Sequence, residues 1–422
     1  MNLGVKMRQS KPKAFGLGGP PSLQKLSPAF AESRRSFTAR AFERDAPVRR
    51  LDWVVFATSL ALSVIGCLLV WSATRPRHNL TGGDPQAFLK KDLLNLAIGL
   101  ALFVAVSVVG HRRMRAAVPF IGILAMLGLF AALSPLGATI NGQRAWILLP
   151  AGFSLQPAEL AKIGVILGMG MILAERVDTG DVERPGNRAV FWSLVVGLLP
   201  IAVIMLMPDM GSGMVIGVIV LGVLLASGAP ARWIAGLMVI GGVGAAAVWK
   251  LGILSPYQID RFKAFTDPTL DPAGVGYNVA QAKLALGSGG LLGKGLFQGP
   301  QTQGQFVPEQ QTDFIFSVAG EELGLVGCAV ILCLFGLLLW RGIRIAVNAD
   351  DLFGTVIASG VVAWLGFQMF ENIGMNIGIM PVAGLPLPFI SYGGSSMFAI
   401  WIAVGLLQSV HMRGAASLGK FK

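Results

Sequence analysis

From Leu51 onward the chain is a succession of apolar runs, each roughly 17 to 27 residues long, divided by short polar breaks. A run of that length, wound at about 1.5 Å per residue, crosses a hydrocarbon core of about 30 Å. The pattern predicts ten such helices, over about 51–73, 93–110, 117–135, 158–174, 190–207, 212–228, 233–251, 314–340, 352–376 and 395–411. The predicted fold class is therefore all-α, a polytopic membrane protein whose helical domain fills residues 51–411. Residues 1–50 and 412–422 read as tails. One connection stands apart: 252–312, between the seventh and eighth helices, is long and rich in Gly, Gln, Asp and Pro. Loops of that length are usually functional or disordered, and this composition predicts an organised loop with re-entrant pieces.

Composition agrees with the pattern. The chain is 54% hydrophobic and 13% charged, with mean hydropathy +0.67. Its 55 glycines suit close backbone contact between spanning helices. The formal charge of +12 raises the question of nucleic acid, but the basic residues form no groove-facing patch with interleaved aromatics. They follow topology instead. The first fifty residues are strongly basic and lack a sustained apolar run, so they predict a disordered cytoplasmic tail. An even number of spans puts both termini on one side, and the Lys and Arg bias of the loops puts that side in the cytoplasm, narrowly once the tail is set aside. The 252–312 connection then lies outside.

Cys67, Cys328 and Cys333 fall inside apolar runs and show no zinc spacing or disulfide framework. His78, His111 and His411 sit beside no carboxylate cluster or nucleophile, which removes a histidine metal site and a Ser-His-Asp triad from consideration.

The polar residues that could carry chemistry collect on the predicted outer side. Glu159 and Lys162, three apart at the start of a span, share a helix face and read equally as an ion pair or as substrate contacts. Arg144, next to Ala145-Trp146, suits an anionic headgroup at the interface. Asp209, in Pro208-Asp209-Met210-Gly211, reads as a helix cap or as a functional carboxylate. In the long connection, Arg261, Lys283 and Lys294 bring positive charge to a Gly-rich run, 287–295, that reads as a phosphate cradle or a hinge. It is not a nucleotide P-loop, since Ser288 replaces the first glycine and Gly295 follows the lysine. The run Pro308-Glu309-Gln310-Gln311-Thr312-Asp313 puts carboxylates at the mouth of a span, with Thr312 as a candidate N-cap and Asp313 as a candidate general base. Glu321 and Glu322 lie deeper and should face the bundle interior. Gln368, Glu371, Asn372 and Asn376 form one polar stripe on the ninth span, followed by backbone interrupted at Pro381, Pro386 and Pro388.

Together, Pro308–Phe314, the Gly-rich run before it and Leu385-Pro386-Leu387-Pro388-Phe389-Ile390-Ser391-Tyr392-Gly393-Gly394-Ser395-Ser396 resemble the shape, elongation, division and sporulation family of membrane proteins, over nearly all of Leu51–Val410. The Pro386-Leu387-Pro388 form is more similar to its elongation (RodA) branch than to its division (FtsW) branch. Gln311 stands where many relatives have His, Met207 where many have Gln, and Ala282 where Ser is frequent.

The resemblance implies a ten-helix peptidoglycan glycosyltransferase of the bacterial cytoplasmic membrane that polymerises lipid II on the outer face. It implies Asp313 as the essential aspartate, Mg or Mn as a divalent cation, and a class B penicillin-binding protein transpeptidase as partner. Arg144, Glu159, Lys162, Asp209, Arg261, Lys283, Lys294 and Glu309 are the expected substrate contacts. A lipid-precursor flippase and a silent scaffold are the competing readings.

Overall fold

The computed structural model describes residues 50–77, 81–140, 143–149, 153–252 and 274–418, together with 259, 261 and 265. The N-terminal tail, His78, Asp267 and Asp271 lie outside the described residues.

Among the described residues, eleven longer helices carry the chain. They are α1 (Trp53–Thr74), α2 (Ala87–Val109), α3 (Val118–Leu133), α4 (Pro157–Asp178), α5 (Asn187–Met205), α6 (Met210–Ala226) and α7 (Ala231–Lys250). Then follow α8 (Val275–Ser288), α9 (Ile315–Val347), α10 (Leu352–Ile377) and α11 (Gly394–Leu418). Each predicted span coincides with a helix. Among the described residues, eight stretches are long and apolar enough to cross a membrane, and α6 and α7 hold shorter apolar helices at the expected places. Asp52 caps α1 by accepting the Val54 and Val55 amides, and Asp351 caps α10 through Gly354 N–H at 2.8 Å. Pro157 at the first turn and Glu159 just after it start α4 as the helix dipole favours.

The boundaries move in places. The last helix continues to Leu418 rather than ending at 411, because Ala415-Ala416 favour helix and no proline interrupts it. Only 419–422 remain beyond it, outside the described residues. Thr312 caps nothing: α9 begins at Ile315, without a side-chain cap.

One element adds to the all-α expectation. Between α3 and α4 lies a three-stranded antiparallel sheet, β1 (Gly137–Ile140), β2 (Gln143–Leu149) and β3 (Phe153–Leu155), ordered β1-β2-β3. The sequence carries its signal, an Asn141-Gly142 pair between two apolar runs, which favours a hairpin. Ser395 at the start of α11 joins this sheet to the bundle, donating to Ser154 O at 2.8 Å and accepting from Gln156 N–H at 3.0 Å.

The centre of the bundle is α10, packed against α4, α6 and α9, while α11 lies along α2. Trp364 and Trp401 are fully enclosed there. Gly66 lets α1 touch the backbone of the proline-interrupted segment; a Cβ would stand 2.6 Å from Ile390 Cα.

The long connection is organised where it is described. Helix α9 breaks at Gly324, whose φ of 68° favours glycine, and the turn Gly289–Gly295 takes up the freed backbone groups. Leu325 N–H donates to Gly290 O at 2.9 Å and Val326 N–H to Leu291 O at 3.1 Å. Lys294 N–H donates to Glu321 O at 2.9 Å and Gly295 N–H to Glu322 O at 3.0 Å. Broken backbone at membrane depth survives only when its polar groups are satisfied in this way. The Gly-rich run therefore serves as a clasp on α9.

Glu321 and Glu322 are buried, as expected, and both hold the connection down. Glu321 accepts from the Gln301 and Thr302 amides at 2.7 and 2.8 Å and from Thr302 Oγ1 at 2.6 Å. Glu322 accepts from Ser72 Oγ at 2.6 Å, tying α9 to α1.

Candidate active site

The turn Val307–Phe314, just ahead of α9, is fixed almost entirely through its backbone. Glu309 adopts a left-handed φ of 48°, and its carbonyl accepts from the Thr312, Asp313 and Phe314 amides. Asn372 and Asn376, one turn apart on α10, both donate to Asp313 O, at 2.9 and 3.1 Å. Ser391 Oγ donates to Thr312 O, and Tyr392 N–H donates to Gln311 O at 2.9 Å. Gln310 Nε2 reaches Ala73 O at 2.7 Å. Two motifs far apart in sequence, 308–314 and 385–396, thus meet and lock one another. Asp313 is left with a rigid backbone and a half-buried carboxylate.

That carboxylate sits in a mixed field. Burial pushes its pKa up to about 6, the nearby Glu309 charge adds to the rise, and Arg261 and a hydrogen bond from Thr312 pull the other way. Gly384 marks where the groups converge: its φ is 71°, and a Cβ there would stand 3.5 Å from an Arg261 guanidinium nitrogen and 3.7 Å from Asp313 Oδ2.

A second group lies one helix turn deeper. Lys162 and Glu159 are fully buried and paired at 2.6 Å, and Lys162 also donates to Gln368 Oε1 at 3.1 Å and lies 4.8 Å from the Trp364 ring centre. Asp209 caps α6 through Ser212 N–H at 3.0 Å and accepts from Gln156 Nε2 at 3.3 Å. The polar stripe of α10 links the two groups, since Gln368 meets Lys162 while Asn372 meets Asp313. The same stripe satisfies the interrupted backbone: Gln368 Nε2 donates to Pro386 O at 2.8 Å and Asn372 Nδ2 to Leu385 O at 2.7 Å.

The structure brings Asp313 and Arg261 into one centre with Glu309 beside it, and places Glu159, Lys162 and Asp209 below. Lys283 on α8 is exposed, with its ammonium group against Gly378 at the end of α10. Arg144 is exposed on β2 and Lys294 on the clasp. Sequence reading missed Arg77, which donates to Val307 O at 2.9 Å and so holds the near end of the Asp313 turn. No local pattern identifies Arg77; only the fold brings 77 to 307.

Among the described residues no three His, Cys, Asp or Glu side chains converge as a metal cage. No step below depends on a divalent cation.

The family model for cell cycle proteins of the FtsW, RodA and SpoVE type matches residues 52–415. The chain is 36% identical to the probable peptidoglycan glycosyltransferase FtsW of Geobacter metallireducens, covering 87% of this chain and 96% of that protein. It is also 36% identical to the peptidoglycan glycosyltransferase MrdB of Escherichia coli K12, covering 86% and 93%. Among solved structures, one from a study of polymerization and crosslinking by a peptidoglycan synthase complex superposes with a TM-score of 0.70 at 30% identity, covering 86% of this chain and 98% of that one. The rod shape determining protein RodA of Thermus thermophilus superposes with a TM-score of 0.61 at 29% identity, covering 86% and 96%.

Proposed function

The chain belongs to the FtsW, RodA and SpoVE family, and on that premise we propose that it is a peptidoglycan glycosyltransferase polymerising lipid II, with Asp313 as general base. The carrying observation is the immobilised Asp313 turn, whose backbone is held by two asparagines, a serine and a tyrosine amide while its carboxylate stays half-buried beside Arg261. A base with a pKa near 6 is largely ionised at neutral pH yet basic enough to take a hydroxyl proton as attack proceeds.

In this reading one lipid-linked disaccharide presents its anomeric carbon and a second presents the attacking hydroxyl. Asp313 takes the hydroxyl proton, the new glycosidic bond forms with inversion, and the anomeric C–O bond breaks toward the diphosphate. Arg261 is a cation that acts on the base, and it supports the departing charge. Lys283 offers a second positive charge at the outer end of α10. Glu159 and Lys162, already bonded to one another, serve the walls of the site more than the reacting atoms.

The proposal extends to an elongation role, to cytoplasmic termini with the 252–312 connection outside, and to a class B penicillin-binding protein that crosslinks the product. Reconstitution of purified protein with fluorescent lipid II tests the activity directly. Polymer is the expected product; transfer of unpolymerised lipid II across the bilayer would identify a flippase instead.

A further inference from the structure

Asp92, in the second turn of α2, is 1% exposed, yet neither of its carboxylate oxygens has a hydrogen-bond partner. Asn95 lies three residues on, along the same helix face, at 3% exposure, and its Oδ1 is unpartnered too. These oxygens stand under the segment Tyr392-Gly393-Gly394: the Asp92 charge acts on the Tyr392 hydroxyl, and a Cβ on Gly394 would stand 3.2 Å from Asn95 Oδ1. The surroundings supply no matching charge. The Cys67 thiol of α1 faces Asp92, but a thiol is a weak donor. Lys90 and Lys91 are exposed, with Lys90 bonded to Asp84 at 2.7 Å, and no basic side chain among the described residues acts on Asp92. A buried charge is ordinarily paired or bound to a metal ion. The mechanism above uses neither residue.

We propose that Asp92 and Asn95 form a binding site for a small alkali-metal cation of the sodium class. The donor set decides the class. Oxygen ligands without histidine suit a hard cation. One carboxylate cancels one positive charge, whereas a divalent ion would leave a net charge enclosed among helices. The half-buried Tyr392-Gly393-Gly394 segment is the way in for the ion and for waters that complete its shell. That segment is also where the site gains its meaning. Tyr392 N–H holds Gln311 O at 2.9 Å and Ser391 Oγ holds Thr312 O, so a bound ion braces from behind the segment that clamps the Asp313 turn.

Full-length protein in detergent, with sodium exchanged for N-methylglucamine at constant ionic strength, tests this without turnover. The sodium NMR line should be broadened saturably by the wild type, and the melting temperature should rise with sodium along the same curve. Asp92→Asn should lose both responses. Asn95→Ala, which keeps the carboxylate, should weaken the apparent affinity by about tenfold or more. Where Asp92→Asn does not fold, Asn95→Ala decides alone, and an unchanged affinity overturns the proposal. A sodium response that persists in Asp92→Asn overturns it as well. So does a wild type with no saturable response, the outcome expected if Asp92 carries a proton or meets only water, and so does stabilisation by magnesium in place of sodium. No readout involves lipid II, so failure to polymerise would count against the function alone, and loss of the sodium response against this site alone.

Discussion

Asp313 and Glu321 are acids eight residues apart, one in the turn ahead of α9 and one within it, and the fold treats them oppositely. Glu321 has its carboxylate fully committed, to two amides and a hydroxyl, and its work is to hold the short helix Pro300–Gln303 against the bundle. Asp313 has its carbonyl gripped by Asn372 and Asn376 while Arg261, Glu309 and Thr312 act on its carboxylate. A carboxylate whose oxygens are taken up by fixed donors has little capacity left for a substrate hydroxyl; one raised by burial and a like charge is ready to accept a proton. The difference separates an acid that builds the site from the acid proposed to use it.

The largest expected effect comes from removing the second kind. Asp313→Asn keeps shape and polarity, so polymerisation of lipid II should fall by about 10² to 10⁴ with the melting temperature nearly unchanged. A variant that polymerises at the wild-type rate would remove Asp313 from the chemistry and turn attention to Glu309 or Asp209.

Next is the grip on its backbone. Asn372→Leu deletes the donors to Asp313 O and Leu385 O. It should cost up to about 10² in rate through misplacement of the base, with lipid II binding less affected. Equal losses in binding and rate would show that Asn372 supports the whole pocket and not the base in particular.

Glu321→Gln should reverse the pattern. Removing the charge that accepts from two amides and a hydroxyl should cost about 2 to 3 kcal/mol of stability, read as a lower melting temperature in detergent. Turnover per folded molecule should change little. A specific loss of turnover at unchanged stability would erase the contrast between the two acids.

The smallest effect is the most diagnostic. Glu309 raises the Asp313 pKa, so Glu309→Gln should lower it, and the acid limb of the rate profile, near pH 6 in wild type, should move to lower pH. The maximal rate should drop severalfold at most, because a less basic carboxylate accepts the proton less readily. An acid limb that stays in place would mean that another group sets it.

Much of this was legible in the chain. The motif around Asp313 singles that residue out as the candidate base, and the cost of burying charge in a span predicts the interior placement of Glu321 and Glu322 that the structure has. The polar stripe on α10 was visible as helical spacing, though its partners were not. The sheet between α3 and α4 escaped because its strands are short and lie between two long apolar runs that dominate the pattern. Thr312 was misjudged as a cap because the turn ahead of α9 is held from α10 and from the 385–396 segment instead of by its own side chain.

What the sequence determined by itself is the membrane class, the order of the apolar runs and the identity of the acids, since length and hydropathy are local quantities that lipid reads directly. What only the tertiary structure decided is the state of each acid. Whether a carboxylate is capped, paired or left open depends on donors supplied by residues tens or hundreds of positions away: Ser72 for Glu322, Thr302 for Glu321, Asn372 and Asn376 for the Asp313 backbone. Hydrogen bonds act over about 3 Å, and only folding brings such distant positions that close.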